Sequence, residues 1–138
     1  MIEGRTEFRY RGHTFEELKK MDMNEFMALL QSRPRRSLKR GFTEQQKIFL
    51  ANIKDARAQL DAGKEPKIVK THCRDMVVIP TMVGLQVGIH NGREFVKVQI
   101  KPEMLGHVLG EFTYNRKRVE HHAPGVGATK GSAFIPTK

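Results

Sequence analysis

The stretch Gly84-Leu-Gln-Val-Gly-Ile-His-Asn-Gly-Arg-Glu-Phe-Val-Lys-Val-Gln-Ile100 decides the fold of this 138-residue chain. Apolar and polar residues alternate on both sides of Asn91-Gly92, and this dipeptide between alternating segments is the strongest short-range signal for a β-hairpin. We expect a two-residue type I′ turn, whose central residues both need φ > 0. Counting outward from that turn pairs His90 with Arg93, Ile89 with Glu94, Val87 with Val96, Leu85 with Val98 and Val83 with Ile100.

The two faces of this hairpin differ in chemistry. One face is mostly aliphatic, whereas the other carries basic and polar side chains around the ring of Phe95, with Gly88 opposite that ring. An apolar inner face and a basic outer face suit a nucleic acid bound on the outside of the sheet. An ordinary solvated face explains the alternation equally well, so the hairpin alone leaves both interpretations open. The outer face consists of Gln86, His90, Arg93, Phe95, Lys97 and Gln99.

The chain carries a formal net charge of +10, with 25 Lys and Arg against 15 Asp and Glu. This excess favours a polyanionic partner, because bound cations release the counterions condensed on phosphates. A membrane surface is the rival polyanion, but the sequence shows neither a basic helix with bulky apolar residues nor a lipid-anchor motif, so we expect no membrane partner. The N-terminus has no apolar signal region and the one Cys excludes an internal disulfide, which predicts a cytoplasmic protein.

The region before the hairpin is predicted to be helical, because three capping boxes open segments with helical apolar spacing. These boxes are Thr14-Phe-Glu-Glu17, Asp22-Met-Asn-Glu25 and Thr43-Glu-Gln-Gln46. The third opens the longest helix, which should run to about Ala62 and end with Gly63 at the C′ position.

The segment 33–41 is the densest basic cluster and contains no acid. Pro34 and Gly41 favour a loop in this segment, and its unpaired charge favours contact with backbone phosphates. The candidate RNA-binding residues of this basic loop are Arg33, Arg35, Arg36, Lys39 and Arg40.

A period of two from Ile68 onward places Lys70, His72 and Arg74 on one side, and it predicts a third strand. We therefore expect an α+β fold: a small antiparallel sheet of about three strands with a central Asn-Gly hairpin, packed by helices. Pro102 should open a further helix, which runs on through Met104 to Leu109 and stops at Gly110. The predicted segments are an N-terminal arm (1–13), a helical extension (14–63) with the basic loop 33–41, an α+β core domain (64–112) and a flexible, basic, Gly/Pro-rich tail (113–138).

Catalytic, metal and nucleotide sites find no support in the sequence. Gly125-Val-Gly-Ala-Thr-Lys-Gly-Ser132 is only superficially a phosphate-binding loop, since its Lys-Gly-Ser order differs from Gly-Lys-Ser/Thr and its flanks lack the required strand and helix. His72 and Cys73 should point to opposite faces of a strand, and no Cys pair or His-x3-His spacing accompanies them. We expect no enzyme, no metal and no cofactor.

Several short motifs match one known family. They include Thr71-His-x-Arg-Asp-Met76, His90-Asn-Gly92, Glu103-Met-Leu-Gly-His107 and Leu109-Gly-Glu-Phe112, with Pro124-Gly-x-Gly-Ala-Thr129 further on. In this combination the chain resembles the universal small-subunit ribosomal protein nineteen family. The long N-terminal half, with Arg-Arg-Ser-Leu-Lys-Arg at 35–40, is similar to the archaeal and eukaryotic branch, where the protein is counted as number fifteen.

This resemblance implies a structural protein of the small-subunit head that binds the 3′ domain of small-subunit rRNA and supports assembly and translation. It also implies contact with the neighbouring small-subunit protein thirteen, and a tail that reaches toward the decoding region and A-site tRNA. Carried over residue by residue, the expected RNA contacts are Lys70, His72, Arg74, His90, Asn91, Arg93, Lys101 and His107. On charge grounds the tail adds Arg116, Lys117, Arg118, His121, His122 and Lys130.

A general basic DNA- or RNA-binding architectural protein is the alternative that charge alone permits. The sequence shows no recognition helix loaded with base-reading side chains. The hairpin offers a lone Phe95, where a nucleotide-stacking sheet usually offers about two or three aromatic residues. Recognition of structured RNA through its shape and backbone therefore fits better.

Overall fold

A computed structural model describes residues 8–120 of the chain. A small N-terminal hairpin and four helices precede a three-stranded sheet, and short 3-10 turns lie at 80–82, 102–104 and 109–112. The elements in chain order are β1 (Arg9–Tyr10), β2 (His13–Thr14), α1 (Phe15–Lys20), α2 (Met23–Leu29), α3 (Ser32–Lys39), α4 (Glu44–Asp61), β3 (Val69–Thr71), β4 (Gln86–His90) and β5 (Phe95–Gln99).

The main sheet has the order β3-β4-β5 and confirms the predicted α+β class. Strands β4 and β5 pair antiparallel, as expected for a hairpin. Strand β3 runs parallel to β4, so the sheet is mixed and the expectation of an all-antiparallel sheet was wrong for this strand. The period-2 pattern that predicted β3 reports which side chains share a face, and it carries no information on strand direction.

The hairpin register differs from the predicted one by two residues. Val87 pairs with Val98, and His90 pairs with Phe95 across a four-residue loop, 91–94. The Asn91 side-chain oxygen accepts the backbone N–H groups of Arg93 and Glu94, both at 2.9 Å, and this closes the longer loop. Of Asn91 and Gly92, only Gly92 has a positive φ, at 103°, so the type I′ turn is absent.

The two predicted faces survive this shift, because strand side chains alternate with a period of two. Val87 and Ile89 are fully buried on the inner face, while Lys97 on the outer face is exposed. Gly88 lies opposite Lys97 rather than opposite Phe95, which corrects the predicted pairing.

The helices begin where the capping boxes predicted. Thr14 and Thr43 each form the complete reciprocal box, while Asp22 occupies the N-cap of α2 without a side-chain hydrogen bond. Gly63, with φ at 74°, follows α4 as expected, and its N–H donates to the Leu60 carbonyl at 3.0 Å.

The predicted basic loop is a helix, and this expectation was wrong. Helix α3 spans Ser32–Lys39, with Pro34 as its third residue. The first turn of a helix has no intrahelical acceptors for its N–H groups, so a proline there sacrifices no hydrogen bond. Gly41, at φ 89°, comes after the helix end and not within the helix.

Side chains from the helices and from the inner face of the sheet pack together in a buried hydrophobic cluster. It contains Phe26 of α2, Phe49 and Ile53 of α4, and Val87 and Ile89 of β4. Burial of each such aliphatic or aromatic side chain contributes about 1.5–3 kcal/mol. Because the helices cover the inner face, the basic outer face is left to solvent.

The chain beyond β5 lacks the predicted helix. Two short 3-10 turns replace it, Pro102–Met104 and Leu109–Phe112. Gly106 lies between them with φ at 80°, a left-handed conformation that a right-handed helix cannot include. None of the helices within residues 8–120 combines the length and the apolar character needed to cross a membrane.

Candidate nucleic-acid interface

On the outer face of the sheet, two lysines flank a glycine of the central strand. Lys70 of β3 and Lys97 of β5 both pair with Gly88 of β4, and both are exposed. A Cβ placed on Gly88 would lie 3.3 Å from Lys70 Cγ, so the glycine makes room for the lysine stem. Lys97 was absent from the predicted contacts, although the alternation that placed it on this face could have identified it.

An aromatic cluster of His72, His90 and Phe95 lies beside these lysines. The ring centroids of His72 and His90 are 4.3 Å apart, and those of His90 and Phe95 are 4.8 Å apart. Lys70 Nζ lies 5.4 Å from the Phe95 centroid, a cation–π distance. His90 Nδ1 accepts the Gly92 N–H at 3.1 Å, so a neutral His90 carries its proton on Nε2, where it can donate to a ligand.

Helix α3 and the residue that caps its C-terminal end present four of the predicted cations to solvent. None of the ion pairs within residues 8–120 involves these side chains, so their charge is available for phosphate. The four residues are Arg33, Arg36, Lys39 and Arg40.

The fifth cation of this group, Arg35, is partly buried and bonds to the backbone of the chain itself. Its guanidinium donates to the carbonyls of Met27, Ala28 and Leu30 at 3.2, 2.9 and 2.7 Å. These carbonyls belong to the last turn of α2 and the residue that follows, where carbonyls lack intrahelical partners. Arg35 therefore stabilises the junction of α2 and α3.

Arg74 has a similar role in the core. Its guanidinium donates to the carbonyls of His90, Gly110 and Thr113 at 2.8, 3.0 and 2.6 Å. In return, the Gly110 N–H donates to the Arg74 carbonyl at 2.7 Å. Arg74 is thus a part-buried connector between β4 and the end of the core, although the alternation had placed it on the same side as the exposed Lys70 and His72.

The remaining predicted residues of the core lie around the hairpin loop and near the two turns. Asn91 closes the loop, and Arg93 is exposed on it. Lys101 is exposed before the first turn, and His107 Nδ1 lies 2.7 Å from Glu111 Oε2 in a half-exposed pair. The Glu111 carboxylate also accepts the Val108 N–H at 3.3 Å, so this pair organises the second turn.

The basic residues that follow the core divide into two groups. Arg116, Lys117 and Arg118 are exposed beyond the second turn. The predicted contacts His121, His122 and Lys130 lie outside the described residues, as does most of the predicted tail.

Sequence similarity to known proteins shows the family to which this chain belongs. The family described as Ribosomal protein S19 matches residues 36–121. The small ribosomal subunit protein uS19 of Methanococcus aeolicus is 47% identical over 134 residues, which covers 97% of this chain and 83% of that protein. The match includes α3 from Arg36 onward, the sheet and both turns. The chain therefore belongs to the ribosomal protein S19 family, a family of structural and non-enzymatic proteins.

Proposed function

We propose that this chain is a structural constituent of the small ribosomal subunit that binds the 3′ domain of rRNA in the subunit head and supports assembly and translation in the cytoplasm. The observation that carries the proposal is the presence of two cationic surfaces, on the outer sheet face and on α3, in a member of this family. Their side chains enter none of the ion pairs found within residues 8–120. Exposed cations without carboxylate partners bind phosphates with release of counterions.

The predicted contacts differ in what their side chains already bind. Of these contacts, Lys70 and Arg93 are exposed, and so is Lys97, which was not among them. Lys70 lies over the Phe95 ring, and all three exposed positions suit phosphate contact. The guanidinium groups of Arg35 and Arg74 donate hydrogen bonds to backbone carbonyls. These two residues therefore stabilise the segments that carry the proposed RNA-binding surfaces.

Two further partners belong to the proposal through the family resemblance. The neighbouring small-subunit protein thirteen would contact the chain in the head, and the tail would approach A-site tRNA. The high net charge of +10 supports a polyanionic partner for a basic tail of this kind.

Competition binding tests the proposal against the architectural alternative. The full chain is titrated with structured 3′-domain rRNA fragments and with duplex DNA of equal length at several salt concentrations. We expect a preference for the rRNA fragment that persists at physiological salt. Equal binding that disappears as salt is added would leave only non-specific polyanion binding and would overturn the proposal.

The α3 surface supplies a quantitative arm of this experiment. Replacement of Arg36, Lys39 and Arg40 by Gln should reduce the dependence of log K on log salt by about 0.7–0.9 for each phosphate that the helix no longer binds. Lys54→Gln on the exposed surface of α4 is the matched control and should leave the slope unchanged. An unchanged slope in the α3 variant would remove this helix from the RNA interface.

A further inference from the structure

A cleft of about 260 Å³ lies between the hairpin loop and the segment that follows the core. Tyr114 and Val119 line it and are 84% and 69% exposed. Both side chains are therefore accessible to a ligand that enters the cleft. The cleft is also distinct from the aromatic cluster on the outer face of the sheet.

The same cleft is lined by three cations, Arg93, Lys117 and Arg118, and by one carboxylate, Glu94. An aromatic ring surrounded by cations is the arrangement by which proteins hold single-stranded nucleic acid, since the ring stacks on any base and the cations follow the phosphates. An acidic protein segment would satisfy the cations, but it would leave the flat face of the Tyr114 ring without a matching partner.

The Arg74 side chain holds the two walls of the cleft together. The Arg74 guanidinium donates to the His90 carbonyl, immediately before the loop, and to the Thr113 carbonyl, immediately before Tyr114. Asn91 in turn closes the loop through its side-chain oxygen. A binding site held in this way needs less ordering when its ligand arrives.

We propose that this cleft binds one unpaired RNA nucleotide, with its base stacked on Tyr114 and its phosphates held by Arg93, Lys117 and Arg118. This inference rests on the proposed function and deepens it by naming a position for a single splayed-out base. Arg74 is the positioning residue of the site and does not contact the nucleotide.

A fluorescent variant tests the stacking directly. The chain contains no Trp, so Tyr114→Trp introduces a single reporter at the cleft. The full-length variant is titrated with single-stranded RNA, with an abasic RNA of the same length, and with poly-glutamate. Quenching by the RNA that is much weaker with the abasic strand and with poly-glutamate supports the proposal. Equal quenching by either competitor overturns it, in favour of charge binding or of an acidic protein partner.

Affinity measurements supply the second test. Tyr114→Ala should weaken the binding of single-stranded RNA by about 5- to 150-fold, the range of one base–aromatic stack. Tyr114→Phe retains the ring and should bind like the unmodified chain. Leu60→Ala, another exposed apolar residue, is the control. Binding by Tyr114→Ala at the level of this control overturns the proposal.

These oligonucleotide results are independent of the rRNA-fragment competition. If the unmodified chain shows no preference for rRNA over DNA, the proposed ribosomal function is wrong. If that preference is present but the Tyr114 substitutions do not change the binding of single-stranded RNA, only the nucleotide site is wrong.

Discussion

The guanidinium of Arg74 donates a hydrogen bond of 2.6 Å to the carbonyl of Thr113, 39 residues further along the chain. The same guanidinium reaches the His90 carbonyl, so one side chain connects the end of β4 to the exit from the core. Replacement by Gln should lower the free energy of unfolding by about 2–4 kcal/mol, because part-buried carbonyls lose their charged donor. Urea unfolding at neutral pH measures this loss.

RNA binding by the same variant separates positioning from contact. Because the Arg74 guanidinium is engaged with carbonyls, Arg74→Gln should weaken RNA binding while leaving the salt slope unchanged. Arg93→Gln removes an exposed cation and should reduce the slope by about 0.7–0.9. A comparable reduction in Arg74→Gln would show that Arg74 itself holds a phosphate.

The hydrogen bonds of the Arg74 side chain could not be predicted from the sequence. The alternation from Ile68 correctly placed Lys70 and His72 on one side, which is exposed in the structure, since a period of two follows directly from strand geometry. Arg74 lies just beyond β3, where that period no longer determines direction. Its acceptors are backbone carbonyls, which every residue carries, so no residue type in the sequence reveals them.

The errors in strand pairing have a related origin. The Asn91-Gly92 signal correctly indicated a hairpin, but the Asn91 side chain bonds to the loop backbone and lengthens the loop to four residues. The faces were predictable and the register was not, because a two-residue shift leaves every side chain on its own face. Tyr114, which lines the proposed nucleotide site, was not among the candidates because only the fold shows it beside Arg93.

A pair of neighbouring arginines on α3 gives the next prediction. Arg35→Ala should lower the free energy of unfolding by about 1–3 kcal/mol, because the carbonyls of Met27 and Leu30 lose a charged donor. Arg36→Ala removes the same charge from an exposed position and should stay within about 0.5 kcal/mol of the unmodified chain. Equal stability of the two variants in urea unfolding would contradict the structural role of Arg35.

The contact between Tyr10 and Gly106 connects the N-terminal hairpin to the core. Gly106 has φ at 80°, and a Cβ there would lie 2.7 Å from Tyr10 Oη. Gly106→Ala should therefore combine about 1–2 kcal/mol of backbone strain with about 1–3 kcal/mol of overpacking. Gly84→Ala, at φ 89° with open space around the Cβ, should show only the backbone part.

A double-mutant cycle tests the origin of the larger loss. Tyr10→Phe removes the hydroxyl that the new methyl group meets, so the double variant should recover at least about 0.5 kcal/mol relative to the sum of the single changes. Additive losses in urea unfolding would mean that the strain arises elsewhere.

The final prediction concerns the pH dependence of stability at the start of α1. The Thr14 backbone N–H donates to the Glu17 carboxylate at 3.0 Å, and this hydrogen bond, aided by His13 nearby, holds the pKa of Glu17 below its ordinary value. A carboxyl whose pKa is lower in the folded state stabilises the fold above its unfolded pKa, and this stabilisation disappears as the pH falls through the folded pKa. The unmodified chain should therefore exceed Glu17→Gln in urea midpoint at neutral pH, and the gap should close in acid. A gap that stays constant from neutral to acidic pH would show that the ionised carboxylate does not stabilise the helix start.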